Sequence, residues 1–117
     1  EKVFYLVRLR FVDGEPIVLS KMYLNPKVVP DFRPRKTVEG SIFKTLEDIY
    51  KIKIGKSKIA IEAIAARPKE AHFLNIKTGA PVLAVKRVTY TKDGVPIEYS
   101  QSFFRGDKYT YNVVLER

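Results

Sequence analysis

The chain has 117 residues, of which 45% are hydrophobic, and this length suits one compact domain with a single core. It contains no cysteine, which excludes disulfides, thiolate metal sites and a cysteine nucleophile, and fits a reducing compartment such as the cytoplasm. No stretch approaches the roughly 20 apolar residues needed to cross a bilayer, and the N-terminus lacks signal-peptide features. We expect a single domain without membrane contact.

The formal net charge is +9, which raises the question of a polyanionic partner. The lysines are dispersed through every segment, however, as on a solvated surface, and there is no helix-turn-helix, zinc-finger or aromatic RNA-binding signature. The positive charge can equally attract a small anionic ligand, so a polyanion and a small anion both remain possible partners.

The chain begins with a predicted hairpin. Between Val3 and Phe11 apolar residues alternate with a second set that includes Arg8 and Arg10, which predicts a half-buried strand with one wholly apolar face. Residues 13–16 (DGEP) are typical of a turn, and Ile17–Leu24 continues in an extended pattern. Prolines interrupt residues 25–38, which we expect to form a loop or flap near any site.

The rest of the chain predicts two helices and four further strands. Ser41 can cap a helix that ends near Lys51, because apolar residues recur there at helical spacing. The predicted elements after it are a strand at Ile59–Ala66, a short helix at Pro68–Leu74 closed by residues 78–81, a hairpin of Val82–Thr91 and Val95–Phe104, and a last strand at Tyr109–Leu115. The order ββαβαβββ indicates an α+β fold with a mixed, mainly antiparallel sheet.

One internal echo is present: residues 13–17 (DGEPI) recur as residues 93–97 (DGVPI), and a serine follows three residues after each. Either the same turn chemistry is used twice, or the two hairpins form a pseudo-symmetric sheet.

Arg8 and Arg10 are the best candidates for anion ligands. Residues two apart on a strand point the same way, about 7 Å apart, so two guanidinium groups can grip one anion. Gly40 and Ser41, at a helix start, offer unpaired backbone N–H groups and a hydroxyl. The alternatives are a solvated strand face for the arginines and a plain helix cap for Ser41.

The second hairpin carries a polar row that could bind a polyol. One face holds a carboxylate, two hydroxyls and an aromatic ring, and the other is apolar: Glu98, Ser100, Ser102 and Phe104 against Ile97, Tyr99 and Phe103. Such a row could hydrogen-bond and stack on a sugar, although a half-exposed sheet produces the same alternation.

Catalysis finds little support. His72 is the only histidine and reads as a surface residue, with no serine or carboxylate placed beside it by spacing. No cluster suggests a metal and no glycine-rich loop suggests a nucleotide. Residues 105–107 (RGD) read as a turn. We therefore predict no catalytic residue, no metal and no cofactor.

Residues 93–109 (DGVPIEYSQSFFRGDKY) resemble the closing segment of UTRA domains, the effector-binding domains of the HutC branch of the GntR transcription regulators. Further matching segments follow the family order over nearly the whole chain: residues 8–10, 13–17, 23–24, 40–43, 46–47, 61–63, 70–71 and 79–83. The resemblance makes residues 1–117 one UTRA-type domain, although such sensors usually begin one strand earlier.

The resemblance implies a chorismate-lyase-like fold and an intracellular metabolite sensor that changes operator binding by a winged helix-turn-helix domain, which these 117 residues do not contain. It also implies a homodimer, for which Val82–Thr91 or Tyr109–Leu115 could provide an exposed edge strand. A chorismate-lyase-like enzyme and a basic nucleic-acid-binding module remain the alternatives.

In family members that sense sugar phosphates, the residues matching Arg8, Arg10 and Ser41 hold the phosphate, and those matching Glu98 and Phe104 meet the sugar. Two positions depart from that pattern: a serine stands at position 20 where many members have glutamate, and Phe104 replaces a frequent tyrosine. Both changes remove hydrogen-bonding capacity or charge from the pocket, which makes a different sugar or a less polar ligand possible. The predicted ligand-binding set is Arg8, Arg10, Ser20, Ser41, Phe43, Glu98, Ser100 and Phe104.

Overall fold

The computed structural model describes residues 4–30 and 42–116, which contain five strands and two helices. In chain order the elements are β1 (Phe4–Val12), β2 (Glu15–Leu24), α1 (Ile42–Asp48), β3 (Ile54–Ala65), α2 (Pro68–Leu74), β4 (Pro81–Thr91) and β5 (Pro96–Arg105). The strands form one sheet in the order β1-β2-β5-β4-β3, and every pairing is antiparallel. The predicted α+β class is confirmed.

The two helices pack on opposite faces of this sheet, each over its own apolar cluster. Helix α1 buries Ile42 and Leu46 against Met22 and Leu24 of β2, and this side is called the α1 face. Helix α2 packs on the other side, the α2 face, over a separate cluster: Leu19, Ala66, Ala71, Leu74, Val82, Ala84 and Phe103. The sheet is thus the middle layer of the domain, and each face has a covered part and an open part.

The repeated DG-x-PI motif builds a pseudo-symmetric sheet. Strands β2 and β5, which follow the two motifs, lie side by side and antiparallel at the centre, and each is flanked by its own hairpin partner. Lys21 and Gln101, 80 residues apart like the two motifs, face each other across the pseudo-twofold axis. The register of both hairpins slips next to the equivalent residues Ile17 and Ile97. The symmetric interpretation therefore holds.

The bulge in the second hairpin places one side chain on the opposite face of the sheet from the one predicted. Ile97 was expected to share a face with Tyr99 and Phe103, but it packs with Met22 and Leu24 in the cluster under α1. A bulge inserts one extra residue into a strand and so shifts the alternation of side chains beyond it. The bulge thus delivers Ile97 to the α1 face.

Helix α2 spans its predicted residues and is closed at both ends by local interactions. The Arg67 N–H donates to Glu70 Oε1 at 3.3 Å, and Pro68 begins the helix, where its missing N–H costs nothing. Asn75, in the left-handed region with φ of 55°, ends the helix before the predicted stop at residues 78–81. Helix α1 ends at Asp48, three residues before the predicted Lys51.

Three expectations about the sheet are wrong. Residues 109–116 form no strand, although Tyr109–Leu115 alternates like one, and they cannot pair with the preceding strand β5, which already pairs with β2 and β4. Strand β4, expected over Val82–Thr91, is no edge, since it pairs with β3 on one side and β5 on the other. The apolar face of β1 is only partly covered: Tyr5, Val7 and Phe11 are about half exposed. The edges of the described sheet are β1 and β3.

Candidate functional site

Six of the eight predicted ligand residues lie in adjacent rows on the α1 face. Arg8 pairs with Ser20, which pairs with Ser102, so one row crosses β1, β2 and β5. The next row runs from Arg10 through Val18 to Phe104. Glu98 and Ser100 continue the same face of β5 toward α1. The antiparallel register therefore assembles in space residues that lie more than 80 positions apart in the chain.

Arg8 and Arg10 concentrate positive charge at this face. They sit two residues apart on β1, at a spacing of about 7 Å that one phosphate or carboxylate group can bridge. The pKa of Arg8 is lowered, first by its partial burial and then by the positive charge of Arg10. An anion placed between the two guanidinium groups would relieve that repulsion, so the pair favours anionic ligands.

Hydroxyl groups form the floor beside the arginines. The Oγ atoms of Ser20 and Ser102 lie 3.1 Å apart, in hydrogen-bond contact. Ser100 is buried between Met22 and Arg87 on the neighbouring strands. Hydroxyls both donate and accept, so this floor can exchange its internal hydrogen bond for bonds to a polyol.

Glu98 is buried and bound by an arginine that the sequence reasoning missed. Arg87 of β4 donates from Nη2 to Glu98 Oε2 at 2.7 Å and from Nε to Oε1 at 3.3 Å. The same guanidinium lies 4.5 Å from the ring centroid of Phe43 on α1. Each of its oxygens accepts a hydrogen bond from Arg87, so the carboxylate organises the floor and links β4 and β5 to α1, and the expected orientation of sugar hydroxyls by Glu98 stays a prediction.

Counting from the turn does not find Arg87. With residues 92–94 as the hairpin turn, counting places Val88 opposite Glu98, but the register shift next to Thr89 brings Thr89 opposite Glu98 and makes Arg87 its diagonal neighbour on the same face. Diagonal pairs are within reach of long side chains. A buried carboxylate requires a cation nearby, but the sequence did not show which cation the bulged register would supply.

The ring of Phe104 contacts the C-terminal segment as well as lining the site. The ring of Tyr109 stacks on the ring of Phe104 with centroids 4.0 Å apart, so one face of the predicted sugar-stacking aromatic is covered. Beyond Tyr109 the segment is open to solvent, with Val114 89% and Leu115 88% exposed. The segment thus contributes a wall to the site where a sixth strand had been expected.

Ser41 and residues 31–38 of the proline-rich connection lie outside the described residues. Two concavities formed by described residues, of about 210 and 640 Å³, are not lined by any predicted ligand residue. The first lies around Arg67 and Lys86; the second is a groove lined by Lys27, Lys51, Lys53, Lys92 and other residues near the α1 end.

The other sequence predictions concern surface and turn features. His72 is exposed on α2, as expected for a surface residue. Residues 105–107 begin a turn in which Arg105 binds Asp107, with Nη2 and Oδ2 2.7 Å apart, and a Cβ on Gly106 would lie 2.8 Å from the Pro81 carbonyl oxygen. Within residues 4–30 and 42–116, no group of three histidine, aspartate or glutamate side chains could hold a metal ion, and no helix is long and apolar enough to cross a membrane.

Comparison with known proteins identifies the fold and the family. The crystal structure of a GntR-family transcriptional regulator from Enterococcus faecalis superposes with a TM-score of 0.88 at 29% identity, over 97% of this chain and 81% of that one. The HTH-type transcriptional repressor NagR of Bacillus subtilis is 30% identical over 112 residues, which are 96% of this chain and 46% of that protein. The probable fructoselysine utilization operon transcriptional repressor of Escherichia coli is 21% identical over the same length and coverage.

The fold is therefore that of the ligand-sensing domains of GntR-family transcription regulators. Residues 1–110 match the UTRA domain, and the chain belongs to the UTRA domain family. The resemblance read from residues 93–109 is confirmed, and the relatives that the chain matches are named as transcription regulators. The chain spans about half the length of the curated relatives it matches.

Proposed function

We propose that this domain binds a phosphorylated sugar, or a closely related anionic metabolite, on the α1 face. The observation that carries the proposal is the adjacency of two arginines and a hydroxyl floor: Arg8 lies opposite Ser20, whose Oγ is 3.1 Å from Ser102 Oγ. Charge and hydroxyl groups side by side match a ligand with a phosphate at one end and a polyol at the other.

Each group has a distinct task in this proposal. Arg8 and Arg10 fix the phosphate, with Ser41 as a further ligand. Ser20 and Ser100 meet sugar hydroxyls. Phe43 and Phe104 provide the apolar walls, while Glu98 acts together with Arg87. The relative whose name refers to fructoselysine utilization supports the sugar class, since fructoselysine is a sugar joined to an amino acid.

We infer that ligand binding changes operator affinity through an attached winged helix-turn-helix domain in a cytoplasmic homodimer. A ligand shifts such an equilibrium only by its difference in affinity for the two states. The proline-rich connection, residues 25–38, lies between β2 and α1 and is the element that we expect ligand to reposition.

One observation favours a second function, direct contact with nucleic acid. Lys27, Lys51, Lys53 and Lys92 line one groove at the end of the sheet where Phe4 pairs with Leu24. This function predicts DNA affinity for the 117-residue chain itself that falls steeply with salt.

A thermal-shift screen tests the sensing function. Glucose, fructose and mannose 6-phosphates, the free sugars, and gluconate are compared on the parent chain, on Arg8→Ala and on the control Lys77→Ala, which removes an exposed cation elsewhere. A ligand at 100 times its dissociation constant adds about 2.7 kcal/mol to the free energy of unfolding. We expect a sugar phosphate to stabilise the parent and the control but not Arg8→Ala. Equal stabilisation of all three chains would refute the anion site.

A further inference from the structure

Strand β3 presents a long and unusually open edge. It runs for twelve residues, and all of them are exposed except Ile54 and Ile64, which are half-buried. Two of its isoleucines, Ile59 and Ile61, are 48% and 44% exposed on the α1 face. A long exposed edge strand with apolar side chains is a template for pairing with another strand.

The centre of β3 is complementary to itself. When two copies of residues 58–62 (KIAIE) are set antiparallel about Ala60, Lys58 of each copy falls opposite Glu62 of the other, and Ile59 falls opposite Ile61. Opposite charges and paired β-branched residues directly across strands are both stabilising. In the single chain Lys58 lies near the Tyr90 ring, 5.6 Å from its centroid, and makes no ion pair with a described carboxylate.

The other sheet edge lacks this complementarity. Both edge strands have a register irregularity near one end, β1 between Arg10 and Phe11 and β3 between Ile54 and Ser57, so the difference between them lies in their charges. Antiparallel pairing of β1 with a second copy about its centre would bring Arg8 of both chains together, with like charges directly opposed. Of the two described edges, β3 is the one that fits a second copy of the chain.

We propose that two copies of this chain associate through β3, paired antiparallel about Ala60, so that two five-stranded sheets join into one. The proposal rests on the homodimer in the proposed function and specifies its interface. Contacts of this kind are isologous: the same surface serves both partners, as a twofold axis requires. Ile59 is also the cross-strand neighbour of Arg87, so the junction lies one strand away from the Arg87–Glu98 pair.

Edge lysines often have the opposite role, since Lys56 and Lys58 on an open strand could prevent pairing by repulsion. Charge repulsion acts in this way when lysines meet lysines. In the register about Ala60, Lys58 meets Glu62 and Lys56 falls opposite Ile64, so no like charges are directly opposed. In this register Lys58 therefore favours pairing instead of preventing it, and exchanging the charges of Lys58 and Glu62 tests this.

Sedimentation equilibrium of the 117-residue chain and four variants tests the interface: Lys58→Glu, Glu62→Lys, the exchange variant that carries both, and Lys77→Glu as a control of equal charge change away from β3. Each single change opposes like charges at two symmetric positions. We expect it to weaken dimerisation on the order of tenfold. The exchange variant restores the opposite-charge pairs and should dimerise like the parent, and Lys77→Glu should have no effect.

The outcomes separate this proposal from the sensing function. If the parent dimerises but the single changes have no effect, or the exchange variant does not recover, the β3 interface is wrong while the homodimer stands. If the parent is monomeric at all concentrations, both the interface and the homodimer fail, and ligand stabilisation in the thermal-shift screen still tests the sensing site separately. Thermal unfolding of each variant, compared with the parent, identifies any loss due to misfolding.

Discussion

The guanidinium of Arg87 holds the buried carboxylate of Glu98 through two hydrogen bonds, of 2.7 and 3.3 Å, and its other surroundings include the ring of Phe43 on α1. A charge without contact with solvent is tolerated only when it is paired and hydrogen-bonded. The pair therefore fixes β4, β5 and α1 relative to one another at the predicted ligand site.

Removing only one member of this pair should be costly. Arg87→Met leaves the Glu98 carboxylate buried without a cation, and we expect a loss of about 3–5 kcal/mol in the free energy of unfolding. Replacing both, as Arg87→Met with Glu98→Leu, removes the stranded charge and should recover most of that loss. Urea unfolding of the two single variants and the double variant measures the coupling. A double variant as unstable as the two single losses added together would show that the residues act independently.

The ring of Tyr109 stacks on the ring of Phe104, and we predict that Tyr109 is the residue through which the C-terminal segment stabilises the site. Tyr109→Ala should lower the free energy of unfolding by about 1 kcal/mol, through loss of an aromatic pair. Leu115→Ala is the matched control, because Leu115 is 88% exposed and should be close to neutral. Thermal unfolding compares the two. A larger effect at Leu115 would mean that the far end of the segment is packed in solution.

Glu70 predicts a loss of stability in acid. Burial acts to raise its pKa, but the hydrogen bond and charge of Arg67 outweigh burial and lower the pKa below its ordinary value of about 4.3. A lowered pKa in the folded state contributes stability above the ordinary pKa, and that contribution is lost as pH falls through the folded value. Unfolding free energies measured from pH 6 to pH 3 should therefore fall less steeply for Glu70→Gln than for the parent.

The matched control for this experiment is Glu47→Gln, which alters an exposed carboxyl on α1. Its curve should keep the acid dependence of the parent. If Glu70→Gln also follows the parent curve, the Arg67 contact makes no contribution in solution.

The arginine pair predicts that ligand affinity depends on the charge of the phosphate. A phosphate monoester loses its second proton near pH 6, so it is mainly dianionic at pH 7.5 and monoanionic at pH 5. Two fixed guanidinium groups bind a dianion more strongly, and we expect the dissociation constant of a stabilising sugar phosphate to rise as pH falls across this range. Calorimetric titration at both pH values measures it. An unchanged constant would point to recognition of the sugar alone.

The local patterns were enough to predict most of the fold. Alternation predicted the hairpin strands, and Pro68 together with a short apolar period predicted α2 over its actual residues. The segment Tyr109–Leu115 shows the limit of this reasoning: alternation records what a strand needs, but whether a neighbouring edge is free depends on the pairing of the whole sheet. Strand β4 was mistaken for an edge for the same reason.

The same limit applies to the site: features within one strand could be predicted, and those set by pairing between strands could not. Arg8, Arg10 and the β5 row could be predicted because residues two apart on a strand share a face. That Ser20 would meet Ser102, and Glu98 would meet Arg87, depended on registers between segments distant in sequence or separated by a turn. Ile97 was assigned to the wrong face because a bulge of one residue cannot be read from alternation alone.

An amide chemical-shift titration of the 117-residue chain tests the central claim most directly, with the sugar phosphate that stabilises it or, failing one, glucose 6-phosphate. The account predicts saturable shifts on the α1 face at Arg8, Arg10, Ser20 and Ser102, and their loss in Arg8→Ala. Shifts confined to the lysine-lined groove around Lys51, Lys53 and Lys92, or no saturable shifts at all, would contradict it.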